Sequence, residues 1–487
     1  MKTINESITD SLDPEVCRRA RLSRDTRFDG EFYLGVSTTG IYCRPICPAR
    51  NPRESNVTYY RSAAQAAQAG YRPCMRCRPE SAPGSPAWQG SRTTVNRALK
   101  LIQQGALNTG SSAALAARLG VGERYLRKLF ERELGVSPRV VAQTERLLFA
   151  KKLLTETELS ITDIAFASGF GSTRRFNSFI LEQMRCTPSS LRRKRQTQGA
   201  AGDGVRVELQ LKYRPPLDWA GMLYYFDRHA VPAIESASNE CYRRSFTLEK
   251  ESGWFCARND AASQALNVEV HVSSANILMA VVERLRAVFD LNASPQKICG
   301  HFDTDPAMAD LADRFPGTRS LVAWSPFEAA VRAVIGQQVS LAGASTVLNQ
   351  IIQRCGRATE FSDGPNHFFP TPAQMLDLAE EPLPMPGRRR TTLFKVCEYY
   401  NSTECTDADQ PWQQLLSLPG IGPWTSDMIA MRGYGQPNVF PASDLVLLKA
   451  ANALGLPGKM RALEEHATRW QPWRAYAANL LWRSYSP

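Results

Sequence analysis

Four cysteines set in two close pairs, Cys43-Arg44-Pro45-Ile46-Cys47 and Cys74-Met75-Arg76-Cys77, restrict the first part of this chain more than any other feature. Spacers this short let a single turn present two sulfurs to one centre, and four thiolates make a tetrahedral donor set for zinc. A domain of this size needs such a staple. On spacing alone the four are inert ligands that hold a small fold together, the commonest use of an all-cysteine zinc site. The other cysteines mostly stand alone, Cys17, Cys241 and Cys299 among them, so reduced thiols are expected rather than a disulfide framework.

A single hydrophobic core rarely organises 487 residues, so three or four domains are expected. The polar opening Met1-Lys2-Thr3-Ile4-Asn5-Glu6-Ser7 lacks a secretory apolar region, and the run Ile277–Val282 is cut short by Glu283 and Arg284. Neither pattern suits export or a bilayer, and a bacterial cytoplasmic, nucleoid-associated protein without membrane contact is the expectation. Charge is divided unevenly. Residues 1–200 hold 32 Lys and Arg against 17 Asp and Glu, whereas residues 201–487 hold 27 against 30. A cationic surplus concentrated in one segment favours a polyanion through counterion release, DNA first, with RNA or a membrane surface open on charge alone. The near-neutral remainder has to be read from motifs.

Two breaks punctuate the sequence. Ser81-Ala82-Pro83-Gly84-Ser85-Pro86 separates the cysteines from a helical region in which Val95, Leu99, Leu101 and Ile102 recur periodically. Gln196 to Gly204, following Arg192-Arg193-Lys194-Arg195, reads as a flexible linker that neither requires nor forbids coupling between the parts it joins. Beyond it, Val205–Leu211 alternates as a strand does, and helical periods dominate from about Pro326.

Around the cysteines, Thr39-Gly40-Ile41-Tyr42-Cys43-Arg44-Pro45, Cys47-Pro48-Ala49-Arg50 and Gly70-Tyr71-Arg72-Pro73-Cys74-Met75-Arg76-Cys77-Arg78-Pro79 closely resemble the metal-binding domain of Ada-type alkylation-response proteins. The resemblance implies one zinc ion on Cys43, Cys47, Cys74 and Cys77, with Cys43 removing a methyl group from a DNA methylphosphotriester. Zinc keeps sulfur deprotonated at neutral pH, and a tetrathiolate is electron-rich enough to attack an alkyl carbon. Methylation would cancel one negative charge beside DNA and so could strengthen DNA affinity. Members of that family commonly add a Pro-Cys-His-Arg acceptor for guanine O-alkyl groups. No such setting occurs here, and that activity is expected to be missing.

Leu115–Val121 leading into Tyr125–Phe130, and Ile161–Phe170 leading into Arg174–Asn177, repeat a helix-turn-helix plan that resembles AraC-type regulators. Arg124, Arg127, Arg174 and Arg175 would face a major groove, or form only a solvated helical face.

In the second half, Leu418-Pro419-Gly420-Ile421-Gly422-Pro423-Trp424-Thr425 has the glycine spacing of a helix-hairpin-helix. Gly420, Gly422 and Thr425 would hold a phosphate through backbone amides and the positive end of the following helix. Twenty residues on, Asp444 precedes the apolar run Leu445–Leu448, where an acid is often no more than an N-cap. Together with Ala333–Ser340 and Trp473–Trp482, these motifs resemble the AlkA branch of helix-hairpin-helix DNA glycosylases, from about residue 207 to the end. The resemblance to that branch's N-terminal sheet domain, around Leu211–Trp219, is looser. What the resemblance implies is a catalytic Asp444, a base pocket lined by Trp424 and Trp482, and Gln338 at the DNA-wedge position, where close relatives often carry leucine. As a bland alternative, both tryptophans are core residues. Lyase-competent relatives carry a Schiff-base lysine where this chain has Trp424, which implies simple hydrolysis without strand cutting. The five histidines show no ligand spacing.

The expected chain is thus multidomain, mainly α with α+β parts: a four-cysteine zinc domain over 1–85, a tandem helix-turn-helix over 91–196, an AlkA-like N-terminal sheet domain over 205–318 and a helix-hairpin-helix glycosylase domain over 319–487. Its expected function is alkylation repair and response. A monofunctional hydrolase of the DNA-3-methyladenine glycosylase II type would be joined to a stoichiometric methyl acceptor and transcription activator. Its partners would be alkylated and promoter double-stranded DNA, with RNA polymerase a further candidate, and it would act as a monomer. The competing reading is a DNA-binding regulator whose glycosylase-like half is catalytically silent.

Overall fold

The parallel pairing of two short strands is what brings the distant cysteine pairs to one place. In the computed structural model, which describes residues 13–77, 79, 93–103, 105–108, 110–192, 205–360, 364–402 and 411–485, four strands form the first sheet. They are β1 (Tyr33–Val36), β2 (Ile41–Cys43), β3 (Val57–Tyr60) and β4 (Arg72–Pro73), in the order β3-β1-β2-β4. The turn joining β1 to β2 places Gly40 at φ +62°, a left-handed conformation that glycine adopts without a Cβ penalty. β2 runs parallel to β4, and Cys74 donates its N–H to Tyr42 O at 3.0 Å, so Cys43 at the end of β2 and Cys74 just past β4 lie side by side. The break expected at 81–86 and the linker expected at 196–204 lie outside the described residues.

The two helix-turn-helix units are Ser112–Arg118 with Glu123–Leu134, and Ile161–Ala167 with Thr173–Met184, joined by the long helix Pro138–Glu156. Serine side chains accept the first free amides at four of these helix starts: Ser111, Ser137, Ser160 and Ser172. Leu126, Leu129 and Phe130 of the first unit, and Phe176, Ile180 and Met184 of the second, turn inward at helical spacing.

The second sheet is antiparallel: β5 (Val205–Lys212), β6 (Glu235–Ala237), β7 (Cys241–Leu248), β8 (Glu251–Asp260) and β9 (Ala265–Val272), in the order β5-β9-β8-β7-β6. Along β5, Val207, Leu209 and Leu211 are buried while Arg206 and Glu208 face out, the alternation its sequence predicts. Everything described from Pro326 to Tyr485 beyond the short turns is helical or connecting loop, apart from one isolated bridge between Ala358 and His367. A cluster of four charges, three of them buried and Arg332 half-buried, fastens the sheet to that helical region. Arg244 pairs with Glu235 at 2.7 Å and with Glu328, and Arg332 pairs with Glu328 at 2.8 Å and with Glu235. Among the described residues, no helix is long and apolar enough to cross a membrane.

The linker reading leaves the relation between the halves open, and the structure closes that question. Ile164 and Phe176 of the second helix-turn-helix, with Leu153 of helix Pro138–Glu156 and Leu191 of the short helix Pro188–Leu191, belong to the same buried apolar cluster as Val207, Val268, Leu278 and Phe289 of the sheet domain. Helix Pro138–Glu156 acts as a spine. Its Lys151, wholly buried, donates to Cys74 O at 3.1 Å, and the adjacent Lys152 donates to Gln210 O of β5 at 2.6 Å. Arg214, 1% exposed, reaches back the other way: its Nε donates to Asp29 O at 2.9 Å and its Nη2 lies 3.3 Å from Glu31. Consecutive lysines fall about 100° apart on a helix, which is how one helix can hold two different neighbours.

Candidate functional site

Three sites emerge, each at a junction that the local sequence builds. At the first, the sulfurs of Cys43, Cys47, Cys74 and Cys77 all lie within 4.8 Å of one another and all four residues are buried. Four soft donors in so small a volume fit a zinc ion, and the donor set excludes the hard cations that prefer oxygen. Hydrogen bonds within the cluster split the thiols: Cys43 and Cys77 hold Cys47 down at about 7 against the opposing effect of Cys74, while Cys43 is pushed up by its hydrogen bonds to Cys47 and Cys74. One anion among four buried thiols is stabilised by its neighbours' protons, and a divalent cation replaces those protons.

The four sulfurs are not equivalent. Arg44 N–H donates to Cys77 Sγ at 3.3 Å, Arg76 N–H donates to Cys74 Sγ at 3.3 Å, and Ala49 N–H donates to Cys47. Among the described residues no backbone N–H donates to Cys43. A sulfur without such a donor keeps more of its electron density. Arg44 itself is buried, donating to Cys77 O at 2.8 Å and to Asp29 Oδ1 at 2.7 Å.

At the second site, Arg124 and Arg127 lie exposed on helix Glu123–Leu134, and Arg174 and Arg175 on helix Thr173–Met184, each on the face opposite the buried apolar residues. Arg127 is held by Glu131 at 2.8 Å, an exposed pair of the kind that exchanges readily for phosphate.

At the third, Asp444 is indeed the N-cap of helix Leu445–Ala453, its Oδ1 accepting from Val446 N at 3.0 Å and Leu447 N at 2.9 Å. It is more than a cap. Trp424 Nε1 donates to Oδ2 at 3.0 Å and Trp482 Nε1 donates to Oδ1 at 3.1 Å. The structure therefore gathers the acid and both tryptophans, and each indole is half-buried with its N–H on the carboxylate. Four donors fix the carboxylate's orientation, and Oδ2, with one of them, keeps a lone pair for another partner.

The hairpin stands beside this group. Gly420 has φ +86°, and a Cβ there would fall 2.0 Å from Thr392 Oγ1, which itself bonds Pro419 O at 2.9 Å. Gly422, the N-cap of helix Pro423–Tyr434, has open space where its Cβ would be. The fold thus requires glycine at 420 and leaves room for a side chain at 422. Gly420→Ala is expected to cost about 3 kcal/mol through strain and collision, read as a melting temperature lowered by about 10 °C. Gly422→Ala should leave melting nearly unchanged while weakening DNA binding in a titration.

The side chain of Thr425 takes no part in the hairpin's outer surface. It is 3% exposed, and its Oγ1 accepts from Gln337 Nε2 at 3.0 Å, so the hydroxyl faces the interior and only its backbone amide is left for a phosphate. The same Gln337 amide donates to Gly420 O at 3.0 Å, tying the loop ahead of helix Leu341–Cys355 to the hairpin. Gln338 follows, exposed and at φ +53°. Gln337 is a site residue that sequence reasoning missed, because a glutamine pair in a loop does not reveal which member turns in.

Comparison with known proteins gives three domain matches: the metal-binding domain of Ada over residues 16–80, a helix-turn-helix domain over 115–194 and the AlkA N-terminal domain over 208–325. The chain is 38% identical to the "Probable bifunctional transcriptional activator/DNA repair enzyme AlkA" of Mycobacterium tuberculosis (strain H37Rv), across 96% of both chains. It is 29% identical to DNA-3-methyladenine glycosylase 2 of Escherichia coli over 56% of this chain and 95% of that one. It is 37% identical to the bifunctional transcriptional activator/DNA repair enzyme Ada of Escherichia coli over 31% of this chain and 40% of that one. Among solved structures, the 3-methyladenine DNA-glycosylase from Archaeoglobus fulgidus superposes with a TM-score of 0.51 at 22% identity, over 56% of this chain and 96% of that one, a likeness of fold.

Proposed function

The chain belongs to the family of bifunctional transcriptional activators and DNA repair enzymes that pairs an Ada-type metal-binding domain with an AlkA-type glycosylase, and on that premise we propose how its residues divide the work. It binds DNA, repairs alkylation damage and regulates transcription. The C-terminal half hydrolyses the N-glycosidic bond of alkylated purines, and the observation that carries this reading is the Asp444 carboxylate held between the indole N–H groups of Trp424 and Trp482.

A purine alkylated on a ring nitrogen is a good leaving group, because its positive charge weakens the bond to the sugar. Extruded from the stack, the base lies against the two indoles, whose π faces suit a cation. As the bond breaks, positive charge develops on the sugar. Asp444 stabilises that charge from fixed geometry and takes a proton from the attacking water through the free lone pair of Oδ2. Gln338 fills the gap left in the duplex, its loop braced by Gln337. Gly420 and Gly422 present backbone amides to a phosphate.

In the N-terminal half, Cys43, Cys47, Cys74 and Cys77 hold one zinc ion, which when bound keeps all four sulfurs as thiolates. Cys43 attacks the methyl carbon of a methylphosphotriester. The new S–C bond forms as the C–O bond breaks, and the electron pair leaves on the phosphate oxygen, restoring a diester. Its lack of a backbone N–H donor supports this choice among the four. Because no step regenerates the thiolate, the transfer is stoichiometric. The helix-turn-helix arginines hold promoter DNA, RNA polymerase is the partner through which activation would act, and the working form is a cytoplasmic monomer. The units of function are taken as 1–85, 91–196, 205–318 and 319–487.

DNA labelled in its methyl groups, on phosphates and on purine ring nitrogens, tests both activities together. Wild type is expected to retain label on protein and release free methylpurines, seen by chromatography. Cys43→Ala should lose all label transfer and keep base release. Label retained by Cys43→Ala would move the acceptor to another residue.

A further inference from the structure

An arginine buried without an acid lies against the back of one of the two tryptophans. Arg432, 8% exposed in helix Pro423–Tyr434, has its guanidinium carbon 5.2 Å from the centroid of the Trp482 ring and 4.8 Å from that of Tyr225. Its Nη1 donates to Leu321 O at 3.0 Å, its Nη2 donates to Asn479 Oδ1 at 2.9 Å, and its Nε is buried with no hydrogen-bond partner. Among the described residues no carboxylate pairs with it. A guanidinium does not shed its proton in a protein, so this charge is permanent and is compensated only by two π faces and by neutral oxygens. Nearby groups register it. His229, stacked on Tyr225 at 4.2 Å, is pushed down to about 4, by burial first and by Arg432 next among the effects that lower it.

We propose that Arg432 is a specificity-determining residue that acts through Trp482, setting how strongly the base pocket prefers cationic over neutral bases. The proposal rests on the reading that Trp482 meets the extruded base. A cation on one face of an indole draws π density toward itself and leaves less for a cation on the other face, and the two positive charges repel through a thin apolar layer. The same polarisation strengthens the indole N–H as a donor to Asp444 Oδ1. The pocket is thereby tuned to accept neutral damaged bases alongside cationic ones, and selectivity falls to the lability of the bond being broken. Arg432 positions as well: its bonds to Leu321 and Asn479 fix the plane on which Trp482 rests.

Single-turnover base release separates these roles. Wild type, Arg432→Gln, Arg432→Met and Arg432→Lys are compared on duplexes carrying 7-methylguanine, a cation, and hypoxanthine, which is neutral. The ratio of the two rate constants is expected to rise about tenfold in the Gln and Met variants and to stay within about threefold of wild type in Lys, which keeps the charge. An unchanged ratio in a neutral variant that melts normally would overturn the proposal, as would an equal rise in Lys, the mark of a merely structural arginine. A measurement on wild type alone guards against variants that do not fold. Inhibition by the 7,9-dimethylguaninium cation should lie within about threefold of that by neutral 9-methylguanine, and a cation bound tenfold tighter would refute the tuning. Absence of base release by wild type would instead remove the underlying reading.

Discussion

Asp444→Asn is expected to lower methylpurine release at least a hundredfold while shifting the melting temperature by only a few degrees. The rate loss corresponds to about 3 kcal/mol, the scale of removing one fixed charge or donor from a preorganised site. Asparagine caps a helix about as well as aspartate does, so Val446 N–H and Leu447 N–H keep an acceptor at 444. The amide, however, has one acceptor oxygen where the carboxylate has two. With that oxygen on the cap side, its NH2 faces the Trp424 N–H that now sits 3.0 Å from Oδ2, donor against donor, and Trp424 must shift. With the amide reversed, the cap fails and Trp482 loses its partner. Either way both the anion and the arrangement of the indoles are lost. Released bases, quantified by chromatography from wild type and variant in parallel, decide the matter. Equal release would place the chemistry at another residue. No release from wild type would leave a DNA-binding regulator with a silent glycosylase-like half.

How far the sequence reaches is set by the range of the interactions concerned. The cysteine pairs, the helix-turn-helix repeats, the glycine hairpin and the acid ahead of an apolar helix are local patterns, legible because spacing of a few residues decides them. Asp444 shows the limit within one residue. Its capping role follows from position alone, whereas the approach of Trp482, 38 residues away, depends on how two helices pack. Thr425 reads as a hairpin residue by place, yet its hydroxyl turns to Gln337, a partner 88 residues distant. Arg432 left one signal, a charge directly after the apolar run Ile429-Ala430-Met431, though nothing in that run says which rings it meets. The linker expected near residue 200 says least about the packing of the parts it joins. Flexible composition describes the connection and is silent about the surfaces on either side, which here share one apolar core.

Stripping zinc is expected to unfold the first sheet and to loosen the second at one edge. On one face of β1 and β2 Leu34 and Val36 pack with the four cysteines, so most of what is buried there is the metal site itself, while Tyr33 and Tyr42 on the other face pack with Ala63, Ala66 and Leu148. Structural zinc contributes about 10–16 kcal/mol in small Cys-rich folds, more than Leu34 and Val36 could replace on the face that carries the cysteines. Amide hydrogen exchange across residues 33–74 should rise at least a thousandfold after chelation, with one zinc released per chain. The effect does not stop there. Lys151 loses Cys74 O, and Arg214 loses Asp29 O and Glu31, leaving two buried cations with fewer partners. Each unmet group costs about 1–3 kcal/mol, so protection along β5 around Gln210 should fall tenfold or more. The hairpin at Leu418–Trp424, whose bonds are made to Thr392 and Gln337, should exchange as before. Protection lost in the first sheet alone would show that Lys151 and Arg214 find new partners and that the zinc site and the glycosylase sheet are energetically separate. Loss that includes β5 would make metal occupancy in one half a determinant of stability in the other.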